Sequence, residues 1–227
     1  MAMLGNAALA MWWDMAPAMR QDFEDWHAHE HFPERLGIPG FRRASRWSCA
    51  EGGEGVFVLY ELEDFSVLSS PGYAARLNAP TPWSTRMMPH HRHMVRSQCR
   101  VLGSEGAVTA RQALTVRLSP APGQEAALRD ALGRLGRGLR LRPGLVGLHL
   151  IRHEAPPLAP TEEQRMRGLA DRFADWVLIA CGYDAQAVQA LAQAELCADA
   201  LQALGAQEGA VHQRFALAYS ATPGDVR

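Results

Sequence analysis

Lysine is missing from this sequence: all 23 Lys and Arg positions are arginine. Without a lysine amine the chain cannot form a Schiff base with a carbonyl substrate or anchor pyridoxal phosphate covalently. It also cannot supply the phosphate-binding lysine of a Walker A loop. Cysteine is scarce, and Cys49, Cys99, Cys181 and Cys197 form no CxxC pair. They read as small buried hydrophobes in a reducing compartment. No apolar run approaches the roughly 18 residues of a membrane span, and no basic, apolar, cleavable leader opens the sequence, so the expected location is the cytoplasm. Net charge is -1, with arginines scattered among acidic residues, which leaves no nucleic-acid footprint. There is no GxSxG, no Cys beside a His, and no GxGxxG after a strand. Gly133 to Gly138 falls inside a predicted helix and is too loosely patterned to cradle a phosphate.

What is present suits a folded enzyme-sized chain. At 227 residues and 48% apolar content it can bury a sizeable core as one large domain or two small ones. Ala7 to Met15 reads as a strand ended by Ala16-Pro17. Arg20 to Leu36 reads as a helix along the stripe Phe23, Trp26, His27, Glu30, which Pro33 is expected to kink or end. Strands follow at Phe41 to Cys49 and Val56 to Glu63, around a glycine-rich hairpin loop at 51–55. A helix over Phe65 to Leu77, a loop holding Trp83 and His90-His91-Arg92-His93, and a strand from Met94 to Leu102 complete the order β-α-β-β-α-β.

The second half repeats that order. Strands are predicted at 113–118, 146–153, 175–180 and 211–219, with helices at 124–141 and 185–204. Arg142-Pro143-Gly144-Leu145 echoes Ile38-Pro39-Gly40-Phe41. The repeat predicts an α+β fold of two tandem ferredoxin-like βαββαβ units, residues 5–104 and 107–221, the second carrying an insertion at about 155–172. Each unit leaves one sheet face bare, and two such faces meeting would bury both, as an α/β barrel or half-barrel. Arg42 and Arg46 on the second strand are placed to pair with Glu61 and Glu63 on the third, as a structural ladder or as the rim of a polar cleft.

The densest chemistry is Trp26-His27-Ala28-His29-Glu30-His31-Phe32-Pro33-Glu34-Arg35. On a helix His27, Glu30 and His31 share a face. Three readings stay open. The residues match H-x-x-E-H, a zinc-hydrolase signature that still needs a third ligand. They suit a cleft acid–base role, because imidazole titrates near working pH. Or they are structural groups at a helix end. The 90–93 histidines read as a solvated loop or as a lid. Trp12, Trp26 and Trp83, with Tyr60 and Tyr73, could be core or could line an apolar pocket.

The pattern from Trp26-His27 through Glu30-His31-Phe32-Pro33-Glu34-Arg35, Ile38-Pro39-Gly40-Phe41-Arg42-Arg43 and Arg46-Trp47 resembles the dimeric α/β-barrel superfamily in its EthD-like branch. So does Tyr60-Glu61-Leu62-Glu63-Asp64, with Ser70-Pro71, Tyr73, Arg76-Leu77-Asn78 and Pro80-Thr81-Pro82-Trp83. The likeness is strongest to a group of bacterial proteins without an assigned activity. It covers residues 5 to 102 well and the second half mainly through topology. The resemblance implies one of several chemistries: cofactor-independent monooxygenase, muconolactone-type isomerase, haem-degrading protein or small-molecule dehydratase. It also implies a pocket between helices and sheet near the end of the first helix.

Together these readings predict a small-molecule-binding protein acting on an apolar or aromatic ligand, with His27, His31 and Glu30 as catalytic candidates. Trp12, Trp26, Arg43, Arg46, Tyr60, Tyr73 and Trp83 are the candidate ligand-binding residues, and Arg43 or Arg46 would orient an anionic group. No cofactor and no metal is assigned, and self-association is left open. The alternative is a non-catalytic binding or assembly module with structural histidines.

Overall fold

The chain alternates its apolar residues by strand period, and the consequence is a barrel with two cores. In the computed structural model, which describes residues 3–156, 159–168 and 171–226, strand β1 (Ala7–Asp14) is buried on both faces. Ala8, Ala10 and Trp12 point one way and Leu9, Met11 and Trp13 the other, as the two-residue pleat requires. The first unit continues with β2 (Phe41–Cys49), β3 (Gly55–Leu62) and β4 (Arg92–Gly106); the second holds β5 (Gln112–Leu118), β6 (Leu145–His153), β7 (Trp176–Gly182) and β8 (Val211–Ala221). The eight strands close into an antiparallel barrel in the order β1-β3-β2-β8-β5-β7-β6-β4. Each unit contributes its strands in the ferredoxin-like order 4-1-3-2, so the chain is an α+β protein of two tandem βαββαβ units.

The two sheets join edge to edge rather than lying face to face. The seams are the pairs β2–β8 and β4–β6. β4 makes the second seam because it runs for 15 residues, far enough to leave β1 and continue along β6. Closure leaves no free strand edge. The interior is packed solid: Phe57 stacks on Trp12 at 5.0 Å and on Trp47 at 5.1 Å, and Phe215 closes on the same ring.

Helices cover the outside. Those of the first unit are α1 (Arg20–Trp26), α2 (Phe32–Leu36), α3 (Pro71–Asn78) and α4 (Pro82–Met87). Those of the second are α5 (Glu125–Leu139), α6 (Glu162–Met166), α7 (Ala185–Gln193) and α8 (Ala198–Ala203). None of the described helices is long and apolar enough to cross a membrane.

Pro33 does not end the first helix. Residues His27–His31 between α1 and α2 form a π-helical turn, in which the Phe32 N–H donates to the His27 carbonyl five residues back. A proline inside a regular helix lacks a donor and clashes with the carbonyl four residues before it. The wider turn starts a fresh helical segment in which Pro33 sits in the first turn, where no donor is needed. Ser70-Pro71 likewise splits the helix expected over 65–77 into a 3₁₀ stretch at Phe65–Ser69 and α3, with the Ser70 hydroxyl accepting from the Tyr73 N–H. The region expected as a loop around Trp83 folds as α4, capped by Thr81, and a 3₁₀ turn at Met88–His90. The helix expected over 185–204 is broken into α7 and α8.

Candidate functional site

A stripe of four residues, Phe23, His27, His31 and Arg35, runs along the first helix toward the outer face of the first sheet, and all four are buried. Steps of four residues in a regular α-helix drift by about 40° each, which would carry the stripe off the sheet. The π turn is wider and takes back part of that drift, so His27 and His31 stack with ring centroids 5.3 Å apart and planes at 16°. Below them stand Trp13 of β1, Tyr60 of β3 and Arg96 of β4; Tyr73 of α3 and His91 close the sides. The last wall comes from the second unit. α6, within the 155–172 excursion, brings Glu163 and Arg167 across to the first unit.

The space enclosed is small, about 30 Å³, room for roughly two water molecules. Around it lie buried polar atoms without a hydrogen-bond partner among the described residues: His27 Nδ1, His31 Nδ1, the Tyr60 hydroxyl and Arg35 Nη1. Burial holds His27 well below the usual imidazole range, helped by the Arg46 charge and then by His91 and Arg35. Burial does the same to His31, with Arg35 the next cause. Burial and then Arg167 push His91 down to about 3, against its own hydrogen bonding to the backbone. His91 Nδ1–H donates to the Met87 carbonyl at 3.1 Å, which leaves Nε2 as the acceptor. Burial pushes the Tyr60 phenol well above its ordinary range. The site therefore presents neutral imidazoles as bases and a neutral phenol as a proton donor. Burial opposes the charge on Arg35, but Glu163, Tyr73 and Glu34 outweigh it and the guanidinium stays charged. Arg96 donates to the Tyr73 hydroxyl at 2.9 Å.

Of the residues singled out from the sequence, His27, His31, Trp26, Tyr60 and Tyr73 come together here. Arg46 lies behind His27, with its guanidinium over the Phe23 ring and Nη1 donating to the Glu24 carbonyl. Glu30 faces the other way: its carboxylate accepts from Trp26 Nε1, Thr81 and Ser84 and ties α4 to the first helix. Trp83 lies outside the cavity, bonded to Asp22 at 2.9 Å. Trp12 is inside the barrel, where its indole N–H donates to Thr115 at 3.2 Å. Arg43 is also away from the site, bound to Glu61 at 2.6 and 3.0 Å. That pairing corrects the expected ladder. Arg42 does meet Glu63 at 2.9 Å, but Arg46 lies opposite Val58, and a register irregularity between Phe41 and Arg43 sets Arg43, where an unbroken register would set Arg42, opposite Glu61. The H-x-x-E-H motif gains no third ligand: no group of three His, Cys, Asp or Glu among the described residues could hold a metal ion.

Arg35, His91, Arg96, Glu163 and Arg167 are among the site residues that escaped sequence reasoning. Arg35 had a signal, since it continues the spacing of His27 and His31. His91 was hidden in a histidine run read as a loop. Glu163 and Arg167 had none, because a contact 128 positions long leaves no local pattern. A larger groove of about 430 Å³ lies between α5 and strands β4, β6 and β7, lined by Glu105, Arg129, Asp130, Arg134, Arg137 and leucines. It is roomier but has no histidine or tyrosine and none of the unpartnered buried atoms, so chemistry favours the smaller cavity.

No family model and no curated protein matches the chain. Solved structures do. An anthrone oxidase-like protein aligns over 100% of this chain and 98% of its own, with a TM-score of 0.63 and 11% identity. A candidate monooxygenase from Fusobacterium nucleatum aligns over 97% of this chain and 96% of its own, with a TM-score of 0.62 and 7% identity. One from Lactobacillus acidophilus aligns over 96% and 97%, with a TM-score of 0.59 and 8% identity. What is shared at such identities is the fold. The full-length coverage shows that the likeness extends over both units.

Proposed function

We propose that the cavity binds a small apolar or aromatic molecule, and that His27 and His31 exchange protons with it in a cofactor-independent reaction of isomerase, monooxygenase or dehydratase type. The observation that carries this reading is the meeting of three unpartnered buried groups, His27 Nδ1, His31 Nδ1 and the Tyr60 hydroxyl, around one cavity. Native interiors leave few such groups, and each costs about 1–3 kcal/mol. Proton transfer next to a ligand carbonyl or hydroxyl uses what is there. A neutral imidazole takes the proton, the Tyr60 phenol can return one, and Arg35 and Arg96 stabilise negative charge that develops on oxygen. The EthD-like resemblance of residues 5 to 102 supports this class. So do the descriptions of the structural neighbours as anthrone oxidase-like and candidate monooxygenases.

One observation favours the non-catalytic alternative: the imidazoles are packed among aromatic rings, His27 at 4.2 Å from Phe32 and His31 at 4.4 Å from Trp26. The two readings separate in one experiment. Aromatic and lactone-like compounds are screened for a rise in melting temperature, which binding to the native state produces. Ligands so found are then assayed for turnover in wild type, His27→Ala and His31→Ala. The catalytic reading expects turnover to drop by roughly 10²–10⁴ in either variant. Turnover unchanged in both would leave the pocket and remove the chemistry.

A further inference from the structure

The wall of the cavity is shared between the units, and the one carboxylate that reaches it among the described residues belongs to the excursion. We propose that the site takes a small aromatic carboxylate, which replaces Glu163 on Arg35 as it binds. This rests on reading the cavity as a ligand site.

Arg35 is 2% exposed. Its Nη2 donates to Glu163, while Nη1 has no hydrogen-bond partner, the Glu34 carboxylate standing 3.6 Å away. A guanidinium fork with one arm bonded is short of the two-oxygen partner it suits. The neighbouring charges point the same way. Arg167 is matched by Asp171 at 2.7 Å. Arg96 has only the Tyr73 hydroxyl and no carboxylate partner among the described residues. Three guanidiniums thus face a cavity that one carboxylate lines.

Glu163 is also the piece that can leave. α6 is no part of the barrel, and besides Arg35–Glu163 its polar ties to the first unit are Glu162 N–H to Asn78 at 3.2 Å and Arg167 Nη1 to Met88 sulfur at 3.4 Å. With Glu163 in place the space is about 30 Å³, so an aromatic ligand needs α6 to move outward. A neutral ligand that opened the site would leave the buried Arg35 charge with only the Glu34 carboxylate, 3.6 Å from Nη1, which is unfavourable. A carboxylate ligand that opens it keeps Arg35 paired throughout. Selection for the anion follows from the exchange itself.

The test is calorimetric titration of the full chain with benzoate and with benzamide, its neutral counterpart of the same shape. Wild type is expected to prefer benzoate by about tenfold or more, the scale of one close charge pair. Glu163→Gln removes the internal competitor that either ligand must displace, and is expected to strengthen both compounds by about tenfold while keeping the preference for benzoate. Arg96→Gln is expected to weaken benzoate by a similar factor while sparing benzamide, and keeps the test decisive should Glu163→Gln fold poorly. Benzamide binding as well as benzoate to wild type, or benzoate gaining nothing in Glu163→Gln, would overturn the carboxylate exchange while leaving a ligand site. Binding of neither compound to any of the three proteins would remove the ligand site, and the exchange with it.

Discussion

Arg35 and Glu163 are 128 positions apart and meet as a buried ion pair, each side chain under a tenth exposed. The pair fastens the excursion of the second unit to the first helix of the chain. Removing one partner of such a pair leaves a charge in the interior and commonly costs about 3–5 kcal/mol, whereas replacing both with apolar residues can be close to neutral. Glu163→Leu is therefore expected to lose roughly that much in urea denaturation, and Arg35→Met with Glu163→Leu to recover most of it. A loss in the double variant equal to the sum of the Glu163→Leu and Arg35→Met losses would mean that the charges are not coupled.

This contact also marks the limit of what the sequence discloses. The short apolar run of Ala7 to Met15, which reads as a strand, and the echo of Ile38-Pro39-Gly40 in Arg142-Pro143-Gly144 made the two units legible, because both are local patterns. The spacing of His27 and His31 was legible for the same reason, although Arg35, which continues it, was not singled out. Closure of the barrel was only half legible: a buried second face is implied by composition, but edge pairing depends on the length of β4 and on strand registers that no local window contains. Arg42, Arg43 and Glu61 show how small the controlling feature can be. One irregular residue in β2 decides which arginine reaches the carboxylate.

The buried imidazoles give the fold an acid limit. His91 has its pKa pushed from the ordinary 6.5 down to about 3 by burial and then by Arg167. Between those values the unfolded chain binds a proton that the folded chain refuses, so stability falls as pH drops below about 6.5 and goes on falling toward 3. His91 alone is expected to remove about 2 kcal/mol between pH 7 and pH 5. His27 and His31, lowered chiefly by burial, act with the same sign. Urea midpoints measured at pH 7 and pH 5 check this. His91→Phe should narrow the difference between them; an undiminished difference would place its origin elsewhere.

Barrel interior and site are expected to separate by mutation. Phe57 is fully buried against Trp12, Trp47 and Phe215. Phe57→Ala should cost about 3–5 kcal/mol, the usual loss for an aromatic removed from a packed core. Neither it nor Trp12→Phe should alter affinity for any ligand of the His27–His31 cavity, because both residues lie on the opposite face of the sheet from that cavity. A ligand whose binding weakened tenfold or more in Trp12→Phe would move the site into the barrel.

Tyr60 gives the sharpest division between a structural and a chemical role. Its ring packs edge-on against Phe32 at 5.4 Å and Phe41 at 5.6 Å, so the aromatic body belongs to the core. Its hydroxyl is buried and has no partner. Tyr60→Phe removes that oxygen and keeps the ring. If the hydroxyl contributes only to folding, it is a liability, and its loss should leave stability unchanged or raise it by up to about 1–3 kcal/mol. If it donates a proton to a bound ligand, the same change should lower turnover by roughly 10²–10⁴ while stability rises, the trade expected where a group is kept for chemistry. The joint outcome matters more than either half. Higher melting temperature with lost turnover is the expected result; a fall in stability of about 1 kcal/mol or more would mean that the hydroxyl is bonded in the folded protein, and its role as a poised donor would fail.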